Sequence, residues 1–541
     1  MTQPRSLQFL PLAKIFWLIA VLALGSILLL LPRSPLPWLD EIFYASAALA
    51  VVQGGVPIPT VMAAFPHTIR LDLLYGPTIP FLGSLDIRLL GLSATSWRLL
   101  GFMGGVGAVF SAAWVSRRLD HSRVAMAAAA MMVALSQGIG ARATSGRLDT
   151  ITVMLELLCL ACTLGAMRSP QSALAAIVYS ALAGLFCGLA ALSTPRAFPF
   201  VLGLVLALGL ELILCRSWKL WIRGLIIGVA ALLPVWVWTS SQGLNPIGWL
   251  RVVAAASRGD KINVSPILHG SWHLFSGPLV PLLSGLLIIL LMLVVFASAM
   301  LTADRTIEMD ARDLISGMRL ASIAVVINYI ALFLMIARFW DYEIFVVPLV
   351  IPVLTALTAK TLRNRERSAV RGIVLGSWLI LAIVLVAIRS GKVVAWLASY
   401  HERDPQPLQD FIAKNVPIDS RVFGPGEFYF YAVQSAGSRY LFVQPTIPPG
   451  LLGKHDHGVD WRKQLNDGGP VYLIWPKDDP IPHDLVPANL LLEATFAPKL
   501  GKEPAGWRKA GWGSGYPPTN LYRIVDGPAS DKNSQNKHPA R

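Results

Sequence analysis

The chain has 541 residues, of which 55% are hydrophobic and 14% are charged, and its mean hydropathy is +0.58. Soluble domains carry about 25% charged residues, so this composition excludes an ordinary soluble protein and predicts a polytopic α-helical membrane protein. Much of the net charge of +15 therefore comes from lysine and arginine in short loops, where these residues orient membrane spans. It is not taken as a sign of nucleic-acid binding.

Apolar segments long enough to cross a bilayer follow one another along most of the chain. The first, at 12–32, has basic flanks and no evident small-residue cleavage site, so we interpret it as an anchor and not as a cleaved signal peptide. We predict about eleven spans in total. The others are 97–116, 124–141, 149–167, 173–192, 198–215, 224–240, 277–301, 317–337, 343–360 and 372–389.

A pair of adjacent carboxylates, Asp40 and Glu41, follows the first span within the run Pro37-Trp38-Leu39-Asp40-Glu41-Ile42-Phe43-Tyr44. Ionisable groups at a membrane boundary are costly unless they are solvated or functional, so this pair is a candidate site. The alternative is that Asp40 serves as the N-cap of a helix. The loop from here to about residue 97 is too apolar for simple solvent exposure, and we expect one or two helices lying in the membrane interface.

The distribution of basic residues predicts the orientation. Clusters at 117–123, 216–223 and 360–371 alternate with the long first loop, which indicates a cytoplasmic N-terminus and an outside first loop. Other cations fall in outer loops against this bias, and they are candidates for binding an anion. They are Arg70, Arg142, Arg147, Arg196, Arg251, Arg258, Lys261 and Arg338.

An odd number of spans places everything after about residue 390 outside the membrane, where proline, glycine, tryptophan and charge are frequent. Alternating helix and strand patterns predict a small α/β domain there, and no glycine-rich nucleotide fingerprint opens its helices. We divide the chain into a transmembrane domain (1–395), an extracytoplasmic α/β domain (396–527) and a disordered tail (528–541). The predicted helices are 405–415 and 428–433, and the predicted strands are 421–424, 440–443, 471–475, 490–496 and 521–525.

Four stretches carry a resemblance to the GT-C glycosyltransferases, and more narrowly to the bacterial branch of protein O-mannosyltransferases and the lipid A aminoarabinose transferase. The first is the outer acidic pair. Arg147-Leu148-Asp149 is similar to the family's Arg-x-Asp segment, His269-Gly-Ser-Trp-His273 to its His-x-Pro-Phe-Trp loop, and Arg338-Phe-Trp-Asp341-Tyr342 to its aromatic Tyr-x-x-Pro stretch. Residues 69–76 match the family's Glu-Lys-Pro-Pro run only loosely, because the glutamate and both prolines are missing.

The resemblance implies transfer of a sugar from a polyprenyl-phosphate donor on the outer face of the cytoplasmic (inner) membrane. Such a reaction needs a carboxylate to deprotonate the acceptor and cations to receive the phosphate charge. Asp40, which matches the family's catalytic aspartate, is the candidate base, with Glu41 the alternative or a contact at the helix start. Asp149 is a candidate for orienting sugar or acceptor, or a helix cap. Arg70, Arg147 and Arg338 are the candidate phosphate ligands, or anchors to lipid headgroups.

Further substrate contacts are expected from residues in the outer loops, and a metal ion is left unassigned. His269 and His273, spaced i, i+4, are suited to zinc together with a carboxylate, or are interfacial histidines. Magnesium would need Asp40 with Asp149. Many members of the family work without metal, so no cofactor is expected. The candidate substrate contacts are His67, His269, His273, Lys261, Asp341 and Tyr342.

Two other classes of function remain open on the sequence. A flippase or transporter of lipid-linked sugars should carry charge near mid-bilayer and often has repeated halves, whereas the charged residues here are expected at span ends and no halves repeat. A scaffold that binds partners through the outer domain is the third possibility. The expected partners of a transferase are the polyprenyl-phosphate sugar, membrane lipids and an acceptor that is a lipid, a glycan or a protein, with no nucleic acid. The CxxC of Cys159 and Cys162 is interpreted as packing, without a disulfide.

Overall fold

A computed structural model describes most of the chain. The described residues are 10–33, 37, 39–62, 76–167, 172–215, 217–257, 309–335, 344–363, 368–398, 400–401, 403–437, 439–442, 470–479, 481, 490–498 and 516–525.

The membrane part is built from helices. Their bounds are α1 Leu10–Leu30, α2 Leu39–Val52, α3 Thr78–Leu90, α4 Ala94–Leu119, α5 Arg123–Leu135, α6 Gln137–Thr144, α7 Asp149–Ala166, α8 Ala173–Ala191, α9 Phe198–Cys215, α10 Trp218–Ser241, α11 Pro246–Ser257, α12 Met309–Met335, α13 Val347–Arg363 and α14 Ser368–Ala398. Helices α2 and α3 lie in the first loop, where one or two helices were expected.

Serine residues in the polar turns determine where several spans begin. Ser93 forms a capping box at the start of α4, its hydroxyl accepting from the backbone N–H of Ser96 at 3.0 Å. Ser122 and Ser172 accept in the same way at the starts of α5 and α8. Each cap satisfies backbone donors that the first turn leaves unpaired, so the boundaries are encoded locally.

The prediction of a polytopic helical membrane protein is confirmed. Within the described ranges, seven helices are long and apolar enough to cross a membrane, or eight if the bent pair α5–α6 is one span. Two shorter apolar helices lie at Gly317–Leu332 and Val347–Leu362. The predicted span at 277–301 lies outside the described residues, so the total of eleven stays a prediction.

The predicted span at 124–141 is broken into α5 and α6, which meet at an angle of 50°. Ser136 leaves the helical conformation there, with ψ at 139°, and its hydroxyl donates to the carbonyl of Val133 at 2.8 Å. Gly138 lets α6 approach Ile344 closely, since a Cβ at this position would lie 2.8 Å from the Ile344 Cα. The bend determines the direction in which α6 carries Arg142.

Charged side chains also lie inside the bundle, so the expectation that they are confined to span ends is wrong. Glu156 is fully buried in the middle of α7. Arg389 in α14 is 4% exposed and donates to the Ser26 hydroxyl at 3.0 Å. Glu211 in α9 and Arg319 in α12 form an ion pair of 2.5 Å. The long apolar run around Glu156 conceals this residue in a hydropathy profile.

The C-terminal part is a small α/β domain, as predicted, and each described element begins within two residues of its predicted position. The sheet order is β2-β1-β3-β5-β4, with β1 parallel to β2 and β3 and with β5 antiparallel to β3 and β4. The elements are α15 Gln406–Asn415, β1 Arg421–Gly424, α16 Tyr429–Ala436, β2 Arg439–Phe442, β3 Val471–Pro476, β4 Leu490–Phe496 and β5 Thr519–Ile524.

The hydrophobic core of this domain continues into the membrane part. Ile42 of α2, Trp97 of α4 and Leu148 belong to the same buried cluster as Phe428 and Tyr431 of the domain. The domain therefore packs against the segment that carries Asp40 and Glu41, which is the region of the candidate site.

Candidate active site

Asp40 and Glu41 lie in the first turn of α2 and have different surroundings. The helix begins at Leu39, so Asp40 is a first-turn residue and not the N-cap that one interpretation of the sequence expected. The Asp40 side chain is 24% exposed, whereas that of Glu41 is fully buried. Successive helix residues are about 100° apart, which is why neighbours in sequence face solvent and core respectively.

Glu41 forms a buried two-point ion pair with Arg98 of α4. The Arg98 Nε lies 2.9 Å from Oε1 and its Nη2 lies 3.3 Å from Oε2. Arg98 is 2% exposed. A fork-to-fork pair of this kind satisfies both charges away from water and holds both side chains in one geometry. It fixes the start of α2 against α4.

The turn between α6 and α7 lies directly on this ion pair. Gly146 has φ of +62°, and a Cβ at this position would overlap the Glu41 carboxylate. The indole of Trp97 donates from Nε1 to the Gly146 carbonyl at 3.0 Å. A glycine is required on both counts, for the left-handed backbone and for the close approach. Glu41 and Trp97 thus position the turn that precedes Arg147.

Arg147 bridges Asp40 and Asp149. Its Nη2 lies 3.1 Å from the Asp40 Oδ2, and its Nε lies 3.3 Å from the Asp149 Oδ2. Asp149 opens α7 with Leu148 as the N-cap, so its carboxylate is in the first turn, where the helix dipole favours negative charge. Asp149 is therefore not the helix cap that one interpretation expected. The N-cap is Leu148, which has no capping side chain.

Two further arginines approach Asp149, which is 3% exposed. Arg142 from α6 lies 3.8 Å from its Oδ2, and Arg196 from the turn before α9 lies 3.9 Å from its Oδ1. Three guanidinium groups around the carboxylates of Asp40 and Asp149 leave one net positive charge. We refer to Asp40, Arg142, Arg147, Asp149 and Arg196 as the rim cluster.

The rim cluster brings together three of the sequence candidates, Asp40, Arg147 and Asp149, and a fourth, Glu41, follows Asp40 directly on α2. Sequence reasoning noted Arg142 and Arg196 as outer-loop cations but did not assign them to the site, and it missed Arg98. The available signal for Arg142 was its spacing of five residues from Arg147 and seven from Asp149. Eight candidates lie outside the described residues: Arg70, Arg338, His67, His269, His273, Lys261, Asp341 and Tyr342.

The described part of the chain has no group of three or more His, Cys, Asp or Glu side chains that could hold a metal ion. Asp40 and Asp149, the suggested magnesium ligands, are both paired with Arg147. The suggested zinc ligands His269 and His273 lie outside the described residues. Cys159, Cys162 and Cys187 are free thiols buried among apolar side chains.

The α/β domain contributes two tyrosines next to the Glu41–Arg98 pair. The hydroxyls of Tyr431 and Tyr516 hydrogen-bond to each other, and both side chains are buried. Burial raises the pKa of both phenols, while the nearby Arg98 charge opposes the rise. Both hydroxyls therefore stay neutral at physiological pH, with one donating to the other.

The architecture defines a class of protein. A bundle of membrane helices, two helices in a first loop that opens with an acidic pair, and a C-terminal domain packed on that loop form the architecture expected of the GT-C fold. The similarity to the solved structures described next confirms the resemblance inferred from the sequence at the level of fold. No protein-family model matches the sequence, and no curated protein matches it significantly.

The chain is similar in structure to ArnT of Cupriavidus metallidurans, the lipid A aminoarabinose transferase. The likeness to ArnT bound to undecaprenyl phosphate has a TM-score of 0.54 at 16% identity and covers 94% of this chain and 98% of that chain. The likeness to apo ArnT has a TM-score of 0.53 at 15% identity with the same coverage. A weaker likeness, to the oligosaccharyltransferase AglB of Archaeoglobus fulgidus, has a TM-score of 0.46 at 14% identity and covers 86% and 69%. The likeness to ArnT, at 16% and 15% identity, shows the fold alone.

Proposed function

We propose that the protein transfers a glycosyl group from a polyprenyl-phosphate donor to an acceptor of the cell envelope, on the outer face of the cytoplasmic membrane. The rim cluster is the observation that carries this proposal, because it gathers three arginines around Asp149 and joins one of them, Arg147, to the partly exposed carboxylate of Asp40. ArnT, which has the same fold, binds undecaprenyl phosphate. The sugar and the acceptor, a lipid, a glycan or a protein, stay open.

Asp40 is the proposed general base. It is the most exposed of the carboxylates around the cluster, while Glu41 and Asp149 are buried in ion pairs. Asp40 would take the proton from an acceptor hydroxyl as that oxygen attacks the anomeric carbon of the donor. The bond from this carbon to the phosphate oxygen breaks, and the polyprenyl phosphate leaves with the electron pair. General-base catalysis of this kind typically contributes about 10²–10⁴-fold in rate.

Arg147 links donor binding to the availability of the base. Its guanidinium is shared between Asp40 and Asp149. A donor phosphate competes with Asp40 for Arg147, since arginine binds phosphate oxygens in a bidentate manner. Binding of the donor would then release the Asp40 carboxylate toward the acceptor. Arg142 and Arg196 supply the remaining positive charge for the leaving phosphate.

Asp149 and Glu41 are proposed as positioning residues. Asp149 is surrounded by arginines and keeps their guanidinium groups together in a buried position. Glu41 supports the Gly146 turn through its pair with Arg98. Neither carboxylate has the exposure that contact with an acceptor requires.

Residues outside the described part of the chain keep the roles that the sequence suggested. Arg70 and Arg338 are proposed to bind the donor phosphate. Further contacts with the substrate are proposed for His67, Lys261, His269, His273, Asp341 and Tyr342. No metal is assigned to the reaction.

A lipid-sugar transporter is the second candidate function, and the buried charges favour it. Ionisable groups within spans often mark proton or ion pathways, and Glu156 and Arg389 are such groups. The two functions differ in their need for a base. A transporter should depend on Glu156 and tolerate a change of Asp40, whereas a transferase should show the opposite pattern.

Mass spectrometry of the lipid retained by the purified protein tests the donor class. The protein should retain a polyprenyl phosphate, or its sugar ester, through mild detergent extraction, and it should transfer sugar when that ester and an envelope extract are added. An Arg117→Ala variant, altered at the opposite end of α4, is the matched control and should retain the same lipid. Retention of ordinary phospholipids alone, with neither transfer nor binding of added polyprenyl phosphate, would contradict the proposed function.

A further inference from the structure

The Tyr431–Tyr516 pair joins two segments of the α/β domain that are 85 residues apart in sequence. Tyr431 lies on α16, and Tyr516 lies just before β5. Their rings pack edge to face with centroids 5.6 Å apart, and each side chain is 4% exposed. Two tyrosines with this geometry present their joined hydroxyls as a rigid polar group within an apolar cluster.

This polar group faces the membrane part of the chain. Tyr431 and Tyr516 share one buried cluster with Ile42 and Trp97, and the charges of Arg98 and Glu41 act on both phenols. The hydroxyl pair is thus joined through one packed cluster to Ile42 and Trp97, which are the sequence neighbours of Glu41 and Arg98. A buried ion pair keeps its geometry only where its surroundings are well packed.

The ion pair in turn supports the turn that carries the rim cluster. The Glu41 carboxylate occupies the space against Gly146, and Trp97, adjacent to Arg98 in sequence, donates to the Gly146 carbonyl. Arg147 follows immediately and holds Asp40 and Asp149. A continuous set of contacts therefore runs from the α/β domain to the rim cluster.

We propose that Tyr431 and Tyr516 are positioning residues through which the α/β domain fixes the Gly146 turn and so the arrangement of Arg147 and Asp149. The domain takes no part in the chemical step. Its docking on α2 and α4 determines whether the cations of the rim cluster stand in the geometry that a phosphate requires. The effect on sugar transfer rests on the proposed function, whereas the effect on the turn does not.

Hydrogen exchange of the full-length protein in nanodiscs tests the positioning directly. In Tyr431→Phe and Tyr516→Phe, the amides of residues 144–149 should exchange roughly tenfold faster, since each change removes a hydroxyl beside a buried charge pair. Tyr429→Phe is the matched control. Tyr429 lies on the same helix, is equally buried, and its hydroxyl has no partner among the described residues. This variant should exchange like the wild type.

The kinetic arm uses the same three variants. The two positioning variants should raise the KM for donor and lower kcat together, with unchanged thermal stability, while Tyr429→Phe leaves both constants unchanged. Unaltered exchange of residues 144–149 in both Tyr431→Phe and Tyr516→Phe would overturn the inference, whatever the enzyme does. Faster exchange in a protein that transfers no sugar would support the positioning and count against the proposed function.

Discussion

Arg147, the proposed ligand of the donor phosphate, contacts Asp40, the proposed base for the acceptor. The Arg147 Nη2 lies 3.1 Å from the Asp40 Oδ2. The Asp40 carboxylate is 24% exposed, whereas the arginine is almost buried. An exposed carboxylate that shares its cation with a buried one can lose that cation to a competing anion at modest cost. A phosphate is the competitor that the positive rim cluster would attract.

Removal of the Arg147 guanidinium should weaken donor binding. Arg147→Ala should lower the affinity for a polyprenyl phosphate by about 10-fold or more, because a charge-assisted bidentate contact contributes about 1.5–3 kcal/mol. Arg117→Ala, at the exposed far end of α4, serves as the control and should bind normally. Titration of both purified variants with a fluorescent polyprenyl phosphate measures this. Equal affinities of the Arg147→Ala and Arg117→Ala variants would contradict a role of Arg147 in donor binding and would favour its alternative role as a lipid-headgroup anchor.

Gly146 should be intolerant of any side chain. Gly146→Ala should destabilise the protein by about 1 kcal/mol for the left-handed backbone and by a further 1–3 kcal/mol or so for overlap with Glu41. Gly243→Ala separates the two effects, because Gly243 has φ of +69° and open space around the position of a Cβ. Thermal unfolding of both variants in the same detergent should show the larger loss at Gly146. Matching losses would mean that Glu41 does not occupy this space.

The Glu41–Arg98 pair should contribute to stability far more than a surface pair. Glu41→Gln leaves the Arg98 charge buried without its carboxylate, which should cost about 3–5 kcal/mol. The half-exposed pair of Arg33 and Asp404, 3.2 Å apart, offers the comparison, and Arg33→Gln should cost about 0–1 kcal/mol. Denaturation of both variants gives the two values. A small loss at Glu41 would indicate that water reaches the pair.

The sequence predicted the helices and strands closely, because their signals are local. Hydropathy marked the spans, and the starts of three of them are encoded by adjacent serine caps. The break at Ser136 was missed, since α5 and α6 read as one apolar run and the bend depends on contact between Gly138 and Ile344. Glu156 and Arg389 were missed as intramembrane charges for a related reason, because a single polar residue hardly changes the mean of a long apolar window.

The site was predictable only where its residues carry a motif or stand at a boundary. Asp40, Arg147 and Asp149, which the structure places together, were singled out in this way. The partners of these residues come from distant segments, Arg98 from α4 and Arg196 from the turn before α9, and tertiary packing alone brings them together. The different environments of Asp40 and Glu41 likewise depend on which face of α2 packs against α4. No pattern in the sequence distinguishes an exposed carboxylate from a buried one beside it.

Membrane topology should place the rim cluster outside. A reporter fused after residue 120 or 366 should be cytoplasmic, and one fused after residue 530 should be outside, because the basic clusters flank the former positions. Fusions with alkaline phosphatase and with green fluorescent protein at each position give opposite signals for the two sides. A cytoplasmic C-terminus would remove the α/β domain from the side on which a polyprenyl-phosphate sugar is consumed.

The central claim is that Asp40 is the general base, and the transfer rate of the Asp40→Asn variant tests it. Asparagine keeps the shape of the side chain, and Asp40 is a partly exposed first-turn residue, so expression and thermal stability should stay close to those of the wild type. Donor binding should persist, because Arg142, Arg147 and Arg196 remain.

The measurement is sugar transfer by the purified variant from a polyprenyl-phosphate sugar to an envelope extract, with the wild type and Arg117→Ala assayed beside it. The proposed role predicts a stable protein that binds donor and transfers about 10²–10⁴-fold more slowly than the wild type. A stable Asp40→Asn protein with near wild-type transfer would contradict it.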